Sequence, residues 1–152
     1  MVSPFVVSAD RMISSVDNVF NAVAFRCDAA GDVTLCGRGA GKLPTASAMV
    51  SDVIDAVSGK AYRASWSNPE DVCDTDFASP DDVCDVFFIS FDNASGDALP
   101  KVKAEFGDVR VIDDASELYI MTECMSGKDA KKHIANLEKL GLASKTALRV
   151  LL

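Results

Sequence analysis

The first section of the chain, residues 1–58, has the apolar pattern of a β-hairpin followed by a helix. β-Branched and aromatic residues fill Phe20–Cys27 and 33–36, and the polar turn 28–32 separates them. A shorter apolar run around residues 2–7 contains Pro4 and predicts an edge or terminal strand. Residues 45–57 repeat apolar side chains at the i, i+3, i+4 spacing of an amphipathic helix.

The second section, residues 59–82, has no such pattern. It is rich in Asp, Pro, Ser and Asn, and this composition predicts an acidic, solvated linker. Asp74 and Asp76 have the spacing of calcium ligands, but the stretch lacks the third oxygen ligand and the glycine of an EF-hand loop. We therefore favour a linker without a metal.

The third section, residues 83–152, predicts the order β-α-β-β-α-β. The strands are expected at 83–91, 109–112, 118–122 and 148–152, and the helices at Ala98–Phe106 and 128–140. Gly141 stands where the second helix needs a C-terminal cap. This order is the ferredoxin-like split βαβ arrangement, so the whole chain is predicted to be α+β.

Charge and cysteine content exclude several classes of function. The net charge is −8 and the isoelectric point is near 4.5, which argues against binding to nucleic acid or an anionic membrane. No apolar run approaches the roughly 18 residues of a membrane-spanning helix. The 5 cysteines form no C-x-x-C pair and there is 1 histidine, so no metal site is predicted. We expect a cytoplasmic protein in which Cys27, Cys36, Cys73, Cys84 and Cys124 are small buried apolar residues.

The strongest chemical signal is the glycine-rich loop Gly37-Arg38-Gly39-Ala40-Gly41, which leads through Lys42, Leu43 and Pro44 into the predicted helix. Glycines let a ligand approach the backbone, and a fresh helix N-terminus favours anions. The spacing fits neither G-x-G-x-x-G, which needs glycine at position 42, nor the Walker A loop, which needs glycine at position 36. Spacing alone therefore favours a tight strand-to-helix turn over a ligand loop.

The sequence segments on either side of the loop change this interpretation. The runs VDNVFNAV at 16–23, GDVTL at 31–35 and VSDVIDA at 50–56, together with the loop, resemble the C-terminal part of homoserine dehydrogenase over about residues 2–58. The resemblance implies that residues 1–58 are a remnant of the dehydrogenase substrate and dimerisation sheet, with the helix that returns to the Rossmann domain.

The resemblance also assigns roles to the loop. Gly37, Gly39 and Gly41 match family glycines, Gly39 lies against the bound nicotinamide cofactor, and Arg38 and Ala40 belong to the same cofactor-binding loop. NADP or NAD is the implied cofactor. The family's catalytic lysine and substrate carboxylates lie upstream of the matched stretch, so no catalytic residue is assigned and the chain alone is expected to be inactive.

Residues 83–152 resemble the ACT-type regulatory domain that such enzymes carry at this place. The resemblance implies homodimers and a small amino-acid effector, threonine in this family, near Asp92, Asn93 and Gly96. A polar turn without a ligand is the competing interpretation, because Asp97 would repel an effector carboxylate. His133 is expected to be a solvated surface residue.

Three functions remain open. In the first, which the resemblance implies, the chain would be a fragment of an NAD(P)-dependent homoserine dehydrogenase, which reduces aspartate semialdehyde to homoserine for threonine and methionine biosynthesis and whose Rossmann domain would be a partner. Alternatively, it is an amino-acid-sensing module, or an assembly element that forms a dimer. The predicted divisions are 1–58 for the catalytic-domain piece, 59–82 for the linker and 83–152 for the regulatory domain.

Overall fold

The computed structural model describes residues 2–59, 77–114 and 116–151. The chain divides into two compact units, Ala9–Val72 and Met1–Ser8 together with Cys73–Leu152. Most of the predicted linker, including Cys73, Asp74 and Asp76, lies outside the described residues. The functional division at 58 and 82 stays a prediction.

The described residues form eight strands, three α-helices and a short 3-10 turn, Met12–Ser15. The strands are β1 (Phe5–Val7), β2 (Phe20–Cys27), β3 (Gly31–Arg38), β4 (Cys84–Asp92), β5 (Val109–Asp114), β6 (Glu117–Thr122), β7 (Met125–Ser126) and β8 (Ser144–Leu151). The helices are α1 (Lys42–Val57), α2 (Ala98–Phe106) and α3 (Gly127–Lys139).

The Ala9–Val72 unit is built on the antiparallel hairpin of β2 and β3. Its register pairs Val23 with Leu35 and Phe25 with Val33, so these four apolar side chains share one face. The opposite face carries smaller and more polar residues, among them Thr34 and Asp32. Asp32 pairs with Arg26 at 3.4 Å and with Arg11 at 3.5 Å, which ties the 3-10 turn region to the hairpin.

No described residue of this unit is buried. The apolar hairpin face is open, with Val23 and Leu35 exposed by 55% and 63%. Helix α1 is also uncovered on its apolar stripe, where Met49, Val53 and Val57 are exposed. A hairpin and one helix that bury so little apolar surface need a further surface to be stable.

The second unit contains a sheet in the order β1-β8-β4-β6-β5, with β7 paired to β4. Every neighbouring pair is antiparallel except β1 and β8, which are parallel. The elements from β4 to β8 follow the predicted β-α-β-β-α-β order, with β7 as an addition that the sequence pattern did not predict. β1 is an edge strand, as predicted, although it joins the sheet of the C-terminal unit.

The core of this unit lies between the sheet and its two helices. Register places Ile89 opposite Ile120 and Phe91 opposite Leu118 on one sheet face. All four side chains have 0% exposure, as do Val102 of α2 and Leu137 of α3. Burying a side chain of this size contributes about 1.5–3 kcal/mol, so this layer is the main stabilising element of the described chain.

Arg149 of β8 joins several parts of this unit. Its guanidinium pairs with Asp85, donates to the carbonyl oxygen of Pro80 at 2.6 Å and lies over the Phe87 ring at 5.2 Å. Its side chain is 11% exposed. A β carbon added at Gly127 would lie 2.6 Å from the same guanidinium, so glycine there leaves room for it.

Helices α2 and α3 meet through a polar cluster. The Glu105 carboxylate accepts from Asn136 Nδ2 at 2.8 Å and contacts His133 Nδ1 at 2.8 Å. His133 also packs against the Phe106 ring, with 5.0 Å between ring centroids. The prediction of a solvated surface histidine is therefore only partly right: the His133 side chain is 29% exposed and contacts Glu105 and Phe106 of α2.

Two other predictions need correction. Cys27, Cys36, Cys84 and Cys124 are exposed rather than buried. The first two lie in a hairpin with no described layer against it, and the others lie at a strand start and in a connection. The last strand begins at Ser144, four residues before its predicted start, because its pairing with β4 continues to Phe91.

Replacing Arg149 by methionine should lower the free energy of unfolding by about 2 kcal/mol. The change leaves Asp85 and the Pro80 carbonyl without their cationic partner in a half-buried place. Urea unfolding measures the loss. Arg110→Met on the exposed side of β5 is the matched control and should cost about 0.5 kcal/mol or less. Equal losses in both variants would contradict the role given to Arg149.

The Glu105 cluster should make stability depend on pH in the acid range. Hydrogen bonds from Asn136 and then His133 hold the pKa of Glu105 below its ordinary value of 4.5. A lowered folded-state pKa gives stability that is complete above about pH 4.5 and lost as pH falls through the folded-state value. The melting-temperature gap between the wild type and Glu105→Gln should therefore be wide at pH 7 and close below pH 4.5. A melting-temperature difference that does not change with pH would contradict this role of Glu105.

Candidate functional site

The glycine-rich loop lies between the end of β3 at Arg38 and the start of α1 at Lys42. The Gly39 N–H donates to the Val19 carbonyl at 2.9 Å, which extends the hairpin ladder into the loop. Gly41 has φ 125°, a backbone conformation that side-chain-bearing residues rarely adopt. Its carbonyl accepts from Thr45 Oγ1 at 2.8 Å in the first turn of α1. Helix α1 therefore begins three residues earlier than predicted, with Pro44 inside its first turn.

Gly39 is glycine for a second reason, which is contact with Asn21. A β carbon added at Gly39 would overlap the Asn21 carboxamide and lie 2.9 Å from Asn21 Cβ. Asn21 is paired with Gly37 in the hairpin ladder, so its side chain reaches the loop diagonally across the strands. The sequence analysis missed Asn21, although the predicted hairpin could have placed it opposite the loop.

The remaining loop residues are exposed. A β carbon at Gly37 would meet nothing within 4 Å. The Arg38 guanidinium lies 5.3 Å from the centre of the Phe20 ring, on the hairpin face opposite Asn21. Gly41 caps α1 without a side-chain hydrogen bond, so the first helical amides are not bound by a capping side chain. The loop could receive an anionic or planar ligand, and the binding roles of Gly37, Arg38, Gly39, Ala40 and Gly41 stay predictions.

The predicted effector loop follows β4. Asp92 Oδ1 accepts from the Ala94 N–H at 3.2 Å, and Gly96, at φ 71°, donates its N–H to the Asn93 carbonyl at 2.9 Å. Asn93 is 6% exposed, and its Oδ1 accepts from the Ala98 N–H at 3.1 Å, at the start of α2. Asn93 and Gly96 thus shape the turn, whereas Asp92 is exposed to solvent.

A cavity of about 390 Å³ opens beside this loop. Asp92 lines it, but Asn93 and Gly96 do not. The other lining residues are Ala94, Ser95, Asp97, Lys101, Gly141, Leu142, Ala143 and Lys145. Lys145 and the 141–143 segment are distant in sequence and arrive because β8 pairs with β4. No local motif indicates this contact, and the sequence analysis missed it.

The charges around the cavity are balanced. Lys101 pairs with Asp97 at 2.7 Å, and hydrogen bonds from Lys101 and then Ser95 lower the pKa of Asp97. Lys145 pairs with Glu117 at 2.6 Å, which raises the pKa of Lys145 and lowers that of Glu117. Asp97 is therefore partnered by a cation, and the repulsion that favoured a turn without a ligand is reduced.

Other features give no second site. A cavity of about 200 Å³ beside Pro4, Phe87 and Ile134 is bordered by Lys131 and Arg149, which already pair with Asp81 and Asp85. Among the described residues, no group of three metal-ligating side chains comes together. In the same part of the chain, no helix is long and apolar enough to cross a membrane.

Comparison with known proteins gives one family. Residues 1–54 match the family model described as homoserine dehydrogenase. A homoserine dehydrogenase of Pseudomonas aeruginosa is 44% identical over 69 residues, which are 45% of this chain and 15% of that protein. One from Synechocystis is 48% identical over 56 residues, covering 37% of this chain and 13% of that protein.

Solved structures extend the likeness to nearly the whole chain. A homoserine dehydrogenase from Thiobacillus denitrificans aligns with a TM-score of 0.71 at 23% identity, over 97% of this chain and 38% of that one. An S. aureus homoserine dehydrogenase gives 0.65 at 20% identity, over 95% and 35%. At this identity the likeness shows the fold alone: a mixed α+β arrangement with a sheet and three helices. The chain spans less than a fifth of the length of the curated relatives named above. The resemblance of its N-terminal section to homoserine dehydrogenase is confirmed, whereas the ACT-type resemblance of residues 83–152 stays a prediction.

Proposed function

We propose that this chain, whose residues 1–54 match the homoserine dehydrogenase family model, forms the C-terminal part of an NAD(P)-dependent homoserine dehydrogenase. The reaction would be the reduction of aspartate semialdehyde to homoserine, in threonine and methionine biosynthesis. The chain would contribute the glycine loop to the nicotinamide side of the cofactor site. The nicotinamide supplies hydride transfer when bound.

One observation carries this proposal: the family-matched segment folds into a strand, an exposed glycine loop and a helix N-terminus. Glycine at 37 leaves the loop backbone open, and glycine at 39 leaves room for the Asn21 side chain beside it. The start of α1 presents amide groups that suit the negative charge of a dinucleotide. These residues fit a role in holding the cofactor and offer no acid, base or nucleophile for the chemistry.

The uncovered surfaces support a partner. The apolar hairpin face and the stripe of α1 both need a covering layer, and the Rossmann domain of the same enzyme is the proposed cover for the helix. A second copy of the chain is the proposed cover for the hairpin, which gives a homodimer. A cytoplasmic location stays a prediction.

A chimeric enzyme tests the proposal. The part of the Pseudomonas aeruginosa homoserine dehydrogenase that precedes its similarity to this chain would be joined to residues 1–152. We expect homoserine-dependent reduction of NADP or NAD by the chimera, and none by the isolated chain, because the catalytic groups lie in the added part. Formation of the reduced cofactor is followed at 340 nm.

Two variants of the chimera make the test specific. Gly39→Ala should lower kcat/KM at least tenfold, because the added methyl group displaces Asn21 and occupies the loop surface. Ser51→Ala, on the exposed helix α1, is the control and should leave kcat/KM within twofold. A folded chimera without activity, or equal rates in Gly39→Ala and the parent chimera, would contradict the proposal.

The cavity beside Asp92 favours a second role, an ACT-type amino-acid site in a ferredoxin-like regulatory domain. Asp92 offers a carboxylate for an ammonium group, and Lys145 and Lys101 have further ammonium protons for a carboxylate besides those that pair with Glu117 and Asp97. The size of the cavity and the presence of both charges suit a small zwitterion such as threonine.

Thermal unfolding of the chain with L-threonine tests this second role. A ligand that binds only the folded state raises the melting temperature, and at about 100 times its Kd it adds about 2.7 kcal/mol. We expect a rise of several degrees with L-threonine and none with N-acetylthreonine, which lacks the ammonium group. Lys145→Met should reduce the rise, whereas Lys103→Met, outside the cavity, should not. The same rise with both ligands would contradict a zwitterion site.

A further inference from the structure

The side chain of Asn21 lies against the glycine loop, and no structural role in the hairpin explains why asparagine is found there. It is exposed, on the apolar face of the hairpin, next to the open end where the loop begins. Among the described residues, no hydrogen bond to its carboxamide is found. An asparagine inside a β-strand is unfavourable on propensity grounds, so a packing or strand-forming role does not account for it.

The loop is shaped around this side chain. Gly39 lacks the β carbon that would overlap the Asn21 carboxamide, and its N–H is fixed by the Val19 carbonyl at 2.9 Å. The ladder pairing of Asn21 with Gly37 sets the position of its backbone. The two glycines therefore hold an unbonded carboxamide at the surface of the loop, where a ligand on Gly39 would meet it.

A carboxamide presents a donor and an acceptor on one planar group. The complementary partner is another planar group with the same pair, and the carboxamide of a nicotinamide ring is such a group. We propose that the Asn21 side chain hydrogen-bonds the carboxamide of the nicotinamide nucleotide at the Gly39 loop, and so sets the orientation of the ring. This inference rests on the proposed cofactor role of the loop.

Nuclear magnetic resonance on the full chain tests the inference directly. The ¹⁵N-labelled protein is titrated with nicotinamide mononucleotide, and the Asn21 side-chain NH₂ signals are identified by their loss in Asn21→Asp. We expect these signals and the Gly39 amide signal to shift together and saturate at the same concentration. With ribose 5-phosphate, which lacks the nicotinamide ring, the signals of the loop amides should shift and those of the Asn21 NH₂ group should keep their positions.

The outcomes separate the two proposals. If the loop amides shift with nicotinamide mononucleotide while Asn21 does not, the cofactor loop stands and the role of Asn21 is overturned. If neither shifts, the cofactor loop and this inference both fail. If ribose 5-phosphate moves the Asn21 signals equally, the side chain does not recognise the carboxamide, and the inference is again overturned.

A variant measures the strength of the contact. Asn21→Ala should weaken binding of nicotinamide mononucleotide by about three- to tenfold, the usual effect of one lost hydrogen bond. Thr34→Val on the opposite hairpin face is the matched control and should leave the affinity unchanged. An affinity in Asn21→Ala equal to that of the wild type would overturn the inference, provided that the backbone spectrum shows a folded hairpin.

Discussion

Beyond its apolar core, the C-terminal unit depends on the contacts of the half-buried Arg149 guanidinium. It joins the last strand to Pro80, before β4, and to Asp85 within β4, and it lies over the Phe87 ring. Beside it, Lys128 donates its amide to the Asp81 carbonyl at 2.9 Å, which fixes the start of α3. Arg149 thereby connects two strands and the end of the predicted linker, and the Lys128 hydrogen bond joins the start of α3 to the same segment.

The two units differ in how much of their apolar surface is covered. In the C-terminal unit, both helices cover one face of the sheet, and the buried side chains of the described residues are matched across strands. In the Ala9–Val72 unit, apolar and polar residues also alternate along the strands, but the apolar face is exposed. The glycine loop thus lies on the unit whose apolar faces are exposed among the described residues.

Most elements were predictable from the sequence because their signals are local. The span of α2, Ala98–Phe106, follows directly from apolar spacing, and the hairpin from two apolar runs around a polar turn. The contacts between distant residues were not predictable. Lys145 reaches the cavity beside Asp92 through strand pairing, and Asn21 reaches Gly39 across a ladder. His133 was only partly predicted because helix periodicity shows which side of α3 is polar but not that Glu105 of α2 faces it.

Strand β1 has a consequence for how such chains can be recombined. Residues 5–7 lie within the family-matched segment, yet they belong to the C-terminal unit and pair in register with its residues 149–151. The sheet is thus discontinuous in sequence, with the hairpin and α1 inserted between its first strand and the rest. An exchange of the C-terminal half between relatives would bring a foreign edge to this strand, so residues 5–7 and 149–151 are expected to be inherited as a pair.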